Sequence, residues 1–117
     1  MEGRRVNRIE EQVRIELSEI LERELQDPRV HFVTVTGVKV SPDLGHARAF
    51  VSVLGGAEER KKALQGLRSA SSFVRRSLSK RLHHLRKIPE LRFDYDESIE
   101  KVNRIEELLD QIKSEPE

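Results

Sequence analysis

Cysteine is absent from these 117 residues, which excludes a disulfide framework, a thiol nucleophile and a thiolate zinc site. Tryptophan is absent too. With one tyrosine and four phenylalanines, the chain has few rings on which bases could stack. Nowhere do the roughly 18 consecutive apolar residues of a membrane-spanning helix occur. The opening "MEGRRVNRIEEQV" has no apolar run after its arginines, so no secretory signal is expected. Net charge is nearly missing as well, since 22 Lys/Arg against 21 Asp/Glu leave +1. These absences lead to the expectation of one cytoplasmic, monomeric domain over residues 4–112 with a frayed tail at 113–117, needing no cofactor and no membrane.

What is present is charge sorted by position. Residues 1–27 carry −3, residues 28–59 are balanced, residues 60–92 carry +10 and residues 93–117 carry −6. Segregation of this kind creates a local field that the net value conceals. The basic block contains "SASSFVRRSLSKRLHHLRK", in which six Lys/Arg and two histidines, with no acid, stand among Phe73, Val74, Leu78, Leu82 and Leu85.

The hydrophobic pattern supplies the elements. Val6, Ile9, Val13, Leu17, Ile20 and Leu21 recur at three- and four-residue steps and predict a first helix ending near Asp27-Pro28. "VHFVTVTGVKV" predicts a strand over about Val30–Val40. In it Val33 and Val35 share one face, while Phe32, Thr34, Thr36, Val38 and Val40 share the other. Valines on both faces with Gly37 between them predict a bulge or a doubly covered strand. "SPDLG" is a turn, "HARAFVSVL" a second strand, and Gly55-Gly56 its end. A helical pattern over about Ala57–Arg86 is interrupted at "SASS", predicting two helices with a kink at Ala70, Ser71 and Ser72. "ELRFDYD" alternates as a third strand with Leu91, Phe93 and Tyr95 inward. Ile99, Val102, Ile105, Leu108, Leu109 and Ile112 form the stripe of a last helix. The expected class is α+β, with helices packed on a three-stranded sheet.

Stepping about 100° per residue from Val74 puts Leu67, Leu78, Leu82 and Leu85 within about 80° of it. Arg68, Arg75, Arg76, Lys80, His83, Arg86 and Lys87 fall on the opposite side, and Arg81 sits at the edge of the buried stripe. An exposed helix ordinarily carries acids four residues from its cations. This one does not, and a face of cations without acids matches the spacing of a phosphate backbone. The candidate RNA-binding residues are Arg68, Arg75, Arg76, Lys80, Arg81, Arg86 and Lys87, with Arg4, Arg5 and Arg8 as an extension diluted by Glu10 and Glu11. The same face also suits an acidic protein. Phe50 and Phe73 are the aromatics with a chance of exposure, and the kink is expected to turn Phe73 into the core. No metal or catalytic site is expected. His83 and His84 diverge on a helix, Asp94 and Asp96 fit a strand ion pair and a helix cap, and Gly55-Gly56 lacks a P-loop's Lys-Ser/Thr ending.

"DPRVHFVTVTGVKVSPDLGHARAFVSVL", "ASSFVRRSLSKRLHHLRKIPELRFDYDES" and "RIEELL" together resemble bacterial ribosome-binding factor A, across about Arg4 to Leu109. The resemblance implies a KH-type II fold, in the order α-β-β-α-(kink)-α-β-α, with an interhelical kink in place of a GxxG loop. It implies a non-enzymatic partner of the small (30S) ribosomal subunit and its 16S rRNA, acting in late assembly, rRNA 5′-end maturation and growth in the cold. The family's kink reads Ala-x-Gly. Here Ala70 and Ser71 match it, but Ser72 replaces the glycine, and a shallower kink is expected because serine adopts left-handed geometry less readily. Two other readings stand beside this one: a KH-like module for free single-stranded RNA, and a domain that meets an acidic protein.

Overall fold

The computed structural model describes the backbone of residues 2–114; the side chains of residues 2–4, 99–103 and 113–114 and the whole of 115–117 lie outside the description. The apolar steps of the first segment produce helix α1 (Glu2–Arg23), whose Ile9, Val13, Leu17, Ile20 and Leu21 are buried. Asp27 then stops the chain by capping a 3-10 turn, Pro28–Val30: its Oδ1 accepts from the Arg29 backbone N–H at 2.9 Å. That turn delays the first strand. Strand β1 is Val33–Val40, not Val30–Val40, and Phe32 is left outside it, 66% exposed.

Strands β1 and β2 (His46–Val53) pair antiparallel, joined by the turn that "SPDLG" predicts. The register shifts between Val35 and Gly37, which makes Thr36 the extra residue of a β-bulge. This resolves the two-faced valine pattern: beyond the bulge the alternation restarts, so Val35, Val38 and Val40 are all buried. Thr36 is not idle, because its Oγ1 reaches Asp96 Oδ2 at 2.6 Å. Gly55 closes β2 at φ +124°, where a Cβ would sit 2.8 Å from Glu59 Cγ.

Helices α2 (Ala57–Ser69) and α3 (Ser71–Arg81) carry the chain back, and strand β3 (Glu90–Tyr95) pairs parallel to β2. A parallel pair requires such a crossover. The strand order is β1-β2-β3. The predicted alternation of β3 holds for Leu91 and Phe93, the latter 1% exposed, but Tyr95 stays half-buried outside the core under the Arg60 guanidinium. Helices α1, α2 and α3 cover one face of the sheet, where Ala47, Ala49, Val51 and Phe93 meet Leu17, Leu67, Val74 and Leu78 in a single core. Inside α2, Gly66 lets the helix approach the 3-10 turn, since a Cβ there would lie 3.1 Å from Val30 Cγ1.

Helix α4 (Glu97–Ser114) begins where Asp96 Oδ1 accepts from the Ser98 N–H at 3.0 Å, the cap anticipated from sequence. Its packing differs from expectation. Ile105, Leu108, Leu109 and Ile112 are 51–69% exposed, and no described α4 side chain enters the core. The architecture is α+β with a three-stranded mixed sheet.

Candidate nucleic-acid interface

The joint between α2 and α3 is one residue long. The Ala70 N–H donates to the carbonyls of Gly66 (3.0 Å) and Leu67 (3.2 Å), ending α2, while its own carbonyl accepts from Val74 (2.9 Å) and starts α3. Ala70 takes φ −92° and ψ 2°, the bridge region that any L-residue can enter. Neither Ser71 nor Ser72 has positive φ, so glycine is not required and the serine at 72 carries no strain.

Val74 and Leu78 anchor α3 on the core. This turns Ser72, Arg75, Arg76, Ser79 and Lys80 to solvent or to the adjoining loop. The helix stops at Arg81, five residues before the Arg86 expected from the pattern, and this corrects the wheel positions of His83, Arg86 and Lys87. The cause is tertiary. Pro89 disfavours helix at Ile88, and the chain must turn back to start β3 at Glu90. Leu82 and Leu85 continue to face the core from the turn that results.

The turn and the helix enclose a cleft of ≈ 560 Å³ lined by Ser72, Arg75, Arg76, Ser79, Leu85, Arg86 and Ile88. Its wall contains three arginines and two serine hydroxyls, and its floor is aliphatic. No carboxylate among the described residues lines it. Arg75 Nη2 donates to the Ile88 carbonyl at 3.1 Å, which positions the guanidinium without neutralising it. Arg76, Lys80 and Arg86 have no ion-pair partner among the described residues. Lys87 lies on the side of the β1–β2 turn, within electrostatic reach of Asp43. That carboxyl is held below its ordinary value first by the Ser41 hydroxyl and the Gly45 N–H, then by Lys87.

Two predicted site residues stand apart. Arg81 is clamped to α1: Nη1 is 2.9 Å from Glu16 Oε2 and 3.1 Å from Glu19 Oε2, and Nη2 is 3.8 Å from Glu24 Oε1. Its hydrogen bond to Glu16 raises an already high pKa, and its charge is spent inside the molecule. Arg68 turns toward the sheet, with Nη2 3.3 Å from the Phe93 carbonyl and 3.8 Å from Asp94 Oδ1. Phe73 is 39% exposed, not buried, because a one-residue joint does not rotate it inward. Arg5 and Arg8 are exposed on α1; the side chain of Arg4 lies outside the described residues.

Sequence reading missed Arg48. Burial pushes the Asp94 carboxyl up, but Arg48, at 2.6 Å through Nε, and Arg92, at 3.1 Å, outweigh it and hold it below the ordinary aspartate value. The outward position of Arg48 between Ala47 and Ala49 was a signal available in the sequence.

Comparison with known proteins bears on the family and the fold. The family described as ribosome-binding factor A matches residues 5–109. A ribosome-binding factor A from Natranaerobius thermophilus is 46% identical over 112 residues, 96% of this chain and 85% of that one. The crystal structure of ribosome-binding factor A from Thermus thermophilus superposes with a TM-score of 0.69 at 28% identity, covering 77% of this chain and 93% of that one. A Thermus thermophilus homology model fitted into a cryo-EM map of a 30S–RbfA complex gives a TM-score of 0.64 at 28% identity, with the same coverages. The structures among these relatives have a KH-like fold, which this chain shares. With the match spanning nearly the whole chain, this protein belongs to the ribosome-binding factor A family.

Proposed function

We propose that this chain binds the small ribosomal subunit through 16S rRNA and assists late subunit assembly, including maturation of the rRNA 5′ end, as a cytoplasmic binding factor without catalysis of its own. The reading rests most heavily on the acid-free cleft between α3 and the 82–89 turn, where Arg75, Arg76 and Arg86 converge. Among the described residues no acid pairs with these cations, although the chain contains 21 acids. Phosphate oxygens supply the missing charge, and the bidentate guanidinium fork fits them well. Family membership supports the ribosome as the source of that phosphate, as does the 30S complex into which a relative has been fitted.

Arg75, Arg76, Lys80, Arg86 and Lys87 make the principal phosphate contacts. Arg68 contributes from the edge of the sheet, and Arg81 acts by fixing α3 on α1. The kink at Ala70, Ser71 and Ser72 sets the heading of the basic helix. With few exposed rings, contact is to backbone and shape more than to unstacked bases. If five phosphates are engaged, this set contributes about −3.5 to −4.5 to the log–log salt slope. The test is co-sedimentation with purified small subunits. Reversing Arg76, Lys80 and Arg86 to Glu should abolish it while circular dichroism stays unchanged. Retained binding by the folded triple variant would overturn the reading, and equal affinity for short single-stranded oligonucleotides would move it from the ribosome to free RNA.

A further inference from the structure

The three helices of the core cover only one face of the sheet, and the other face has an unusual row of charge. Lys39 on β1 is the register partner of Arg48 on β2, and Arg48 is the partner of Arg92 on β3. Three cations therefore stand abreast across all three strands, at the roughly 4.8 Å spacing of a sheet. Like charges directly opposite one another oppose pairing. An ordinary solvated sheet would alternate their sign.

Among the described residues one carboxylate pairs with the arginines of this row. Asp94, whose side chain is 13% exposed, lies between Arg48, Arg92 and Arg68. A single ion pair would suffice to staple β2 to β3; a second and a third guanidinium, and the lysine beyond them, are left over. Arg48 and Arg92 meet Asp94 through Nε and keep side-chain exposures of 54% and 74%. Of the other described acids nearby, Asp96 is engaged with Thr36 and Ser98 and Glu90 with His46 at 3.6 Å, while Glu97, which lines the same cleft as Arg48 and Asp94, is exposed and forms no ion pair with the row. The Arg48 guanidinium also sits 4.8 Å from the centroid of the Phe50 ring, which holds its plane before any ligand arrives.

We infer that this open face, centred on Lys39, Arg48 and Arg92, is a second RNA-binding surface that grips the sugar–phosphate backbone of a different RNA segment from the one held by α3. It lies on the opposite side of the sheet from α3, so a bound protein would stand between two RNA segments and fix their separation. Arg68, bonded to the Phe93 carbonyl at the outer edge of β3, joins the two surfaces. The inference shares only its ligand class with the function proposed above; the site is independent.

The probe is a short A-form RNA duplex carrying donor or acceptor dye, so that energy transfer reports two duplexes on one protein. Wild-type protein should bridge two. Neutralising the row (Lys39→Gln, Arg48→Gln, Arg92→Gln) should leave one and reduce the magnitude of the salt slope by about 2 to 3. Glu90→Lys, a change on a side chain 68% exposed, should steepen the slope by about 0.7 to 0.9 and guards against misfolding of the triple variant. Reversal of Arg76 and Lys80 to Glu should remove the α3-bound duplex and spare the other. Unchanged stoichiometry and slope in the folded triple variant, or no gain from Glu90→Lys, would overturn the inference. So would displacement of RNA at this face by an acidic protein of higher affinity. If the α3 reversal changes nothing while the row variant loses a duplex, the function proposed for α3 fails and this site stands.

Discussion

Arg76 and Arg81 are five residues apart on one helix, yet they should fail in different ways. Arg76 lines the acid-free cleft and has no ion-pair partner among the described residues. Replacing it with glutamine removes one phosphate contact, which lowers the salt-slope magnitude by about 0.7 to 0.9 and, at 0.1 M salt, weakens subunit binding roughly five- to eightfold. Its thermal midpoint should not move. Arg81 is 26% exposed and shared among Glu16, Glu19 and Glu24, so three carboxylates already outweigh its field. Arg81→Gln should leave the salt slope unchanged. Instead it releases two acids of α1 and Glu24 just beyond it to repel one another and detaches the end of α3, at a cost of roughly 1 kcal/mol, a value discounted for solvent screening. For a domain of this size that is a fall of about 4 °C in the midpoint, shrinking as salt is added. The assay is filter binding to small subunits across a salt series, with a melting curve of each variant. Equal flattening of the slope by both variants would show that Arg81 reaches RNA and that the clamp does not hold in solution. No effect of Arg76→Gln would refute the phosphate reading of the cleft.

Leu67 is fully buried at the end of α2, so Leu67→Ala should cost about 3 to 5 kcal/mol in denaturant titration. Gly55→Ala forces a side chain into φ +124° and against Glu59, and should cost about 1 to 3 kcal/mol by the same measurement. The Asp96 carboxyl is held below its ordinary 3.8, first by the Ser98 hydroxyl and then by Thr36. A depressed folded-state pKa gives stability that is complete above the unfolded value and is lost as pH falls below it. Stability should therefore decline below about pH 4, and Asp96→Asn should lower the neutral-pH plateau while flattening that decline in pH-dependent melts.

Much of this fold was legible because burial is one-sided and leaves a period. The stripes of α1 and β3 are the direct print of water on one face and core on the other. The bulge was legible as one of two answers, beside a doubly covered strand, to valines on both faces of one strand with Gly37 between them. The end of α3 was not. Between Leu82 and Ile88 there is neither glycine nor proline, and the helix stops because the chain must return to the sheet edge, a demand that no local residue expresses. The partners of Arg81 were hidden for a similar reason: Glu16 lies 65 positions away in sequence. Helical spacing put Arg81 at the margin of the buried stripe correctly, but it does not say what lies across that margin. The row formed by Lys39, Arg48 and Arg92 needs the register of three strands before it exists. The apolar steps of α4 predicted a helix correctly and its burial wrongly, because amphipathicity reports a face seeking cover and not the cover itself.

Thr36 has one more implication. Pairing on either side of it would be continuous if it were missing: Val35 opposite Val51, then Gly37 opposite Phe50, with inward and outward positions preserved. Excising this residue should leave the hairpin ladder closed, because the deletion removes the surplus position and no paired one. What excision would take away is a hydroxyl arm from the sheet to Asp96, and with it the sheet's hold on the direction in which the last helix departs.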